Sequence, residues 1–197
     1  MIGGHSRTLA QGSASYPSPT MRDLAARVAA RFRWVEGHAD MWSLFADASL
    51  FEGITSALAG PFGGAKITKV AGIEARGFIL GGAVARELET GFVAIRKETG
   101  LFPGRKLTRI TASDYRGNSS LLRLQRASFS PGDRVLVVDD WIETGSQVAA
   151  AQALIEEVGA EFVGVSVIVD QLPRDSTPMP GKFAALIRAE ALGSSAY

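Results

Sequence analysis

From residue 67 onward the chain alternates short apolar runs with amphipathic stretches of helical period, and few folds accept that alternation. The apolar runs lie at 67–73, 92–95, 134–138 and 162–169. Amphipathic stretches fall at about 77–88 and at 146–158, the second closed by Gly159. Runs apolar on both sides of the pleat are strands buried on both faces. Strands joined through helices pair in parallel, by right-handed crossovers. The fold class expected is α/β, a mainly parallel central sheet flanked by helices.

Upstream, Leu24, Val28 and Phe32 recur at helical spacing within 21–34, and a second helix is expected at 50–58. Residues 21–60 then form a small helical cap, or hood. Residues 1–20 are rich in Gly, Ser and Pro and are expected to be a flexible leader. Between 97 and 121 the periodicity fails at Gly100, Pro103, Gly104 and Gly117, so this segment reads as a lid or hairpin over the sheet edge. A length of 197 residues, 46% hydrophobic, suits one domain over 21–197.

Composition excludes several chemistries. There is no cysteine, so disulfide frameworks and thiolate metal sites are impossible. The only histidines are His5 and His38, too few and too N-terminal to suit a zinc enzyme or a Ser-His-Asp hydrolase. Lys and Arg number 21 against 20 acidic residues, so no global charge draws the chain to nucleic acid or an anionic membrane. No apolar run reaches the roughly 20 residues of a membrane span. A cytoplasmic protein is expected.

The densest signal runs from Val135 to Gln147: a buried strand, the carboxylates Asp139 and Asp140, then Glu143-Thr144-Gly145-Ser146-Gln147 opening a helix. Ligands of open parallel sheets gather at the carboxyl ends of strands, where the two acids are delivered. The turn 144–147 offers backbone N–H groups at a helix start, with Gly145 permitting close approach. The acids suit ribose hydroxyls or Mg²⁺ and the turn suits phosphate, so a sugar phosphate satisfies both halves. The bland alternative is that the acids merely end a strand and Thr144 merely caps a helix.

This segment resembles the phosphoribosyl pyrophosphate signature of the type I phosphoribosyltransferases, and other pieces are similar to the adenine branch of that family in the same order. Ala71-Gly72-Ile73-Glu74-Ala75-Arg76-Gly77-Phe78 resembles its pyrophosphate-side loop, and Val93-Ala94-Ile95-Arg96-Lys97 the strand leading to its lid. Asp114-Tyr115 is similar to its Glu-Tyr pair, and Phe45-Ala46-Asp47-Ala48-Ser49 to its base-side loop. The resemblance implies Mg-dependent transfer of a 5-phosphoribosyl group from phosphoribosyl pyrophosphate to a purine-like base, with pyrophosphate released. It implies Ala75, Arg76 and Lys97 at pyrophosphate, and Asp139 and Asp140 at the ribose and Mg²⁺, mainly through water and ligand. Thr144, Gly145, Ser146 and Gln147 would hold the 5-phosphate, Phe45 and Ala46 the base side, and Asp114 and Glu143 the catalysis. Relatives are commonly homodimers; Trp42, Leu44 and Phe51 are candidates for such an interface or for the core.

Four departures bear on the substrate. The family's adenine branch usually has Ala-Thr-Gly-Gly-Thr where this chain has Glu143 to Gln147, Arg where it has Ala46, Lys where it has Leu101, and Glu where it has Asp114. A carboxylate about 4 Å from a phosphate costs several kcal/mol at an effective dielectric near 20, so Glu143 must face away from the phosphate. It then faces the base, or it is a solvated charge at a helix N-terminus. Of the lid cations Arg96, Lys97, Arg105, Lys106 and Arg109, each serves pyrophosphate or lies on a solvated face. The alternatives are a 6-oxopurine or other heterocycle as acceptor, or a non-catalytic, regulatory phosphoribosyl pyrophosphate-binding protein. Against a repressor stands the lack of a basic recognition helix near the N-terminus.

Overall fold

The computed structural model describes residues 19–98, 103–113, 117–176 and 179–193. The expected leader lies outside the described residues except Pro19 and Thr20, which open the first helix, α1 (Pro19–Arg31). The helix expected to reach Trp34 ends at Arg31, and Trp34 instead opens a short hairpin, β1 (Trp34–Val35) with β2 (His38–Ala39). Its turn residues Glu36 and Gly37 both take positive φ, 51° and 75°, the geometry that reverses a chain in two residues.

A short helix α2 (Trp42–Phe45) and helix α3 (Ala48–Ala59) complete the hood. The Asp47 carboxylate caps α3 by accepting from the Leu50 N–H at 3.0 Å. There follow β3 (Lys69–Ile73), α4 (Arg76–Glu87), β4 (Gly91–Lys97), β5 (Lys106–Ile110), β6 (Leu121–Gln125), β7 (Arg134–Ile142), α5 (Ser146–Glu157), β8 (Glu161–Asp170) and β9 (Lys182–Arg188).

The strands form one seven-stranded sheet in the order β5-β6-β4-β3-β7-β8-β9. From β4 to β9 every pairing is parallel, while β6 joins β4 antiparallel and pairs with β5 as an edge hairpin. The mainly parallel α/β sheet is as expected, and the aperiodic stretch 97–121 carries β5 on the way to β6. Two differences stand out. Strand β7 runs to Ile142 rather than stopping near residue 138, because β8 extends alongside it and pairs Trp141 with Val169 and Ile142 with Asp170. Strand β9 had no counterpart in the sequence reading.

Period-two alternation splits the core between the two faces. Val70, Leu136 and Val138 point to one side, where Val28, Leu58, Leu80 and Val84 from α1, α3 and α4 cover them. Ala71, Val135 and Val137 point to the other, against Leu154 and Ile155 of α5 and Leu122 and Leu124 of β6. Val135 to Val138 are all fully buried, which fixes the middle of β7 just before Asp139 and Asp140. Of the three residues weighed as interface or core, Leu44 is fully buried, Phe51 packs partly buried against the core, and Trp42 is 54% exposed. Among the described residues no helix is long and apolar enough to cross a membrane.

Candidate active site

Three strand ends converge. The turn after β3, the end of β4 and the β7–α5 turn line a cleft of about 440 Å³ with Glu74, Ala75, Arg76, Lys97 and residues 139–148, and Trp42 closes one side. Glycine makes the convergence possible. A Cβ on Gly72 would sit 2.0 Å from the Gly77 carbonyl oxygen, and one on Gly77 would sit 3.0 Å from Asp139 Oδ1. Bare backbone at both places lets the start of α4 lie against β3 and β7.

That close packing brings Arg76 to Asp140. Arg76 Nη1 lies 2.9 Å from Asp140 Oδ2, with the arginine side chain a third exposed and the aspartate buried. The contact is an ion pair without a directed hydrogen bond, since Asp140 Oδ2 is buried and has no hydrogen-bond partner among the described residues. Asp139 is partly buried and accepts from the Asp140 N–H at 2.9 Å. Its enclosure, and next the like charge of Asp140, push its carboxyl well above the ordinary carboxylate range; Lys97 opposes this weakly.

Glu74 braces the far wall. It accepts from the Lys97 N–H at 2.8 Å and from Arg96 Nη2 at 3.0 Å. Burial pushes the Glu74 carboxyl up, but the hydrogen bonds from Arg96 and Lys97 outweigh it and hold it below its usual range. The Glu74–Ala75 peptide bond is cis.

Both helices that begin at the cleft begin without a side-chain cap: the N-cap residues are Ala75 for α4 and Gly145 for α5, the latter at φ 75°. Helix geometry leaves the first N–H groups of each without intrahelical acceptors. At α5 the Thr144 hydroxyl takes the Ser146 N–H at 3.3 Å and donates or accepts with Ser146 Oγ at 3.0 Å. Met179 packs beneath, 3.0 Å from where a Gly145 Cβ would be.

Of the residues singled out in the sequence, the cleft gathers Ala75, Arg76, Lys97, Asp139, Asp140, Glu143, Thr144, Gly145, Ser146 and Gln147. It does not include Phe45 or the exposed Ala46. Asp114, Tyr115 and Leu101 lie outside the described residues. Among the five lid cations only Lys97 lines the cleft; Arg96 is bound to Glu74, Arg109 to Glu157, and Arg105 and Lys106 are exposed. Sequence reasoning missed Trp42 and Trp141 as cleft residues, since an indole in a sequence carries no mark of the cavity it faces. Trp141 is fixed by its ring N–H, which donates to Gln171 Oε1 at 2.6 Å, and by an edge contact with Trp34 at 5.9 Å.

Residues 46–179 match the family model described as phosphoribosyl transferase domain. The chain is 45% identical over 131 residues to the adenine phosphoribosyltransferase of Dinoroseobacter shibae, covering 66% of this chain and 72% of that protein. The crystal structure of adenine phosphoribosyltransferase from Rhodothermus marinus superposes with a TM-score of 0.74 at 29% identity, over 85% of this chain and 99% of that one. The Saccharomyces cerevisiae adenine phosphoribosyltransferase, complexed with an imino-altritol bisphosphate and adenine, gives a TM-score of 0.73 at 26% identity, over 84% of this chain and 99% of that one.

Proposed function

The chain belongs to the phosphoribosyl transferase domain family and is a phosphoribosyltransferase, and from that premise we propose that it transfers the 5-phosphoribosyl group of phosphoribosyl pyrophosphate to adenine or a related purine. In this reaction a base nitrogen bonds to the ribose anomeric carbon as the bond from that carbon to the pyrophosphate oxygen breaks, and pyrophosphate leaves.

The observation that carries the reading is the pairing of buried acids with uncapped helix starts around one cleft. Asp139 and Asp140 take the ribose hydroxyls, which supply the hydrogens that Asp140 Oδ2 lacks. The start of α5, with the Thr144 and Ser146 hydroxyls, takes the 5-phosphate. Arg76, Lys97 and the uncapped start of α4 hold the leaving pyrophosphate in position. Glu143 accepts a hydrogen bond or proton from the incoming base. Asp114 is proposed to act in the lid.

Magnesium fits the donor set. Four carboxylates line the cleft against the two cations Arg76 and Lys97, an excess of negative charge that a divalent cation would offset. Mg²⁺ keeps water and phosphate ligands and takes only one or two carboxylates from a protein, which the adjacent Asp139 and Asp140 can supply. Asp139 and Asp140 would hold it, and when bound it neutralises charge on the departing pyrophosphate. A homodimer and a cytoplasmic location belong to the same reading, on the resemblance to the family.

The test is pyrophosphate release from phosphoribosyl pyrophosphate and Mg²⁺ with adenine, hypoxanthine and guanine offered separately. Release with adenine is expected. Release only with a 6-oxopurine would replace adenine as acceptor. Binding of phosphoribosyl pyrophosphate without release for any base would overturn the transferase in favour of a regulatory binding protein.

A further inference from the structure

Among the described residues lining the cleft, Trp42 alone comes from the hood. Every other lining residue belongs to the strand ends, the two turns that follow them or the start of α5, where charge and backbone amides suit ribose, phosphate and pyrophosphate and the one other ring, Trp141, is partly buried and held by Gln171. Trp42 offers a flat apolar ring instead, and that ring is backed rather than loose. Phe45 meets it edge-on at 5.9 Å and 80°, and Phe45 in turn packs on Phe51 at 5.8 Å. At 54% exposure Trp42 keeps much of its surface open, while Trp34 and Trp141 are partly buried.

We propose that Trp42 is the specificity-determining wall of the acceptor subsite, stacking on a planar heteroaromatic base and doing what Phe45 and Ala46, off the cleft, do not. Every nucleobase has a π-face, so this wall selects flat heterocycles as a class and leaves discrimination among them to polar groups such as Glu143. The inference deepens the transferase reading and rests on it.

The test uses the full-length protein with Trp42→Ala and Trp42→Phe. Calorimetry measures adenine binding with ribose 5-phosphate present, and steady-state kinetics measures KM for adenine and for phosphoribosyl pyrophosphate. Trp42→Ala is expected to weaken adenine binding and raise its KM about tenfold or more. The KM for phosphoribosyl pyrophosphate stays within about twofold, and Trp42→Phe restores most of the loss. Unchanged adenine binding in Trp42→Ala, with turnover intact, overturns the inference and leaves the transferase standing. A wild type that turns over no base yet binds adenine through Trp42 upholds the inference and removes the transferase. A wild type that binds no adenine overturns the inference, and phosphoribosyl pyrophosphate binding then judges the transferase separately. Matching thermal melts for the three proteins show that no variant has lost its fold.

Discussion

Helix α3 in the hood and helices α4 and α5 at the cleft are chains of equal length that start in different ways. The first N–H groups of α3 are met by the Asp47 side chain, which accepts from Leu50 at 3.0 Å. Those of α4 and α5 meet no cap from their N-cap residues, because Ala75 and Gly145 stand where Asp, Ser or Thr would serve, and at α5 only the Ser146 N–H finds a side chain, the Thr144 hydroxyl at 3.3 Å. Where structure alone matters, the chain satisfies its helix dipole internally. At the cleft the N-cap residues supply no such acceptor, and Asp139 is crowded against Asp140 in surroundings that disfavour the Asp139 charge. On the proposed function, the contrast separates groups kept for stability from groups kept for a ligand.

The largest effect expected on that contrast comes from the acids. Asp139→Asn with Asp140→Asn should lower affinity for phosphoribosyl pyrophosphate about a thousandfold by calorimetry, since two charge-assisted hydrogen bonds are lost at roughly 2 kcal/mol each. The unliganded fold should survive. Asp139→Asn alone makes a second prediction with a definite sign. The folded-state pKa of Asp139 is raised above its ordinary 3.8, so its contribution to stability is full below that pH and is lost as pH rises through the folded value. Urea denaturation of the unliganded wild type should lose stability relative to Asp139→Asn as pH increases from about 4 to 8. A double variant that binds normally would put the ligand elsewhere.

The hood supplies the opposite case. Asp47→Ala should destabilise the protein by about 1 kcal/mol through loss of the α3 cap. Its affinity for phosphoribosyl pyrophosphate should stay within about twofold. A comparable loss of binding would mean that the hood's local order is coupled to the cleft, and the two regions would no longer be separable.

Much of this division was legible in the sequence for physical reasons. Val135 to Val138 are apolar on consecutive positions because both sheet faces are covered, and the helix after Gly145 shows its period through Val148, Ala151, Leu154 and Ile155. The acids and the small-residue turn stand between two strong periodic signals, so their place between a central strand and its following helix followed from order alone, although β7 runs two residues past the acids to Ile142. Strand β9 was not legible. Its Lys182-Phe183-Ala184-Ala185-Leu186-Ile187-Arg188 has two alanines at its centre and no sharp alternation, and only β8 beside it makes it a strand. The base side was read at Phe45 and Ala46 because likeness to a family loop places a segment, whereas which hood side chain lines the cleft, here Trp42, depends on how α2 packs. Leu44 is drawn into the core there and Trp42 is left facing out.

The smallest expected effect tests the cations, which the sequence could not sort. Arg109 and Lys97 looked equivalent as lid charges, but Lys97 lines the cleft while Arg109 Nη2 lies 2.7 Å from Glu157 Oε2 on α5, both side chains 45% exposed. A pair that open to water is screened by solvent and salt and holds two long side chains in one geometry, so its net worth is about 0.5 kcal/mol or less. Arg109→Ala should therefore shift the urea midpoint barely at all. It should also leave phosphoribosyl pyrophosphate affinity unchanged, because the Glu157 carboxylate already answers its charge on the outer side of α5. Among the described residues no carboxylate pairs with the Lys97 ammonium, and Glu74 takes its backbone N–H. If Arg109→Ala weakened the ligand tenfold, Arg109 would have to leave Glu157 on binding, and the β5–β6 hairpin would belong with the cleft rather than with the scaffold.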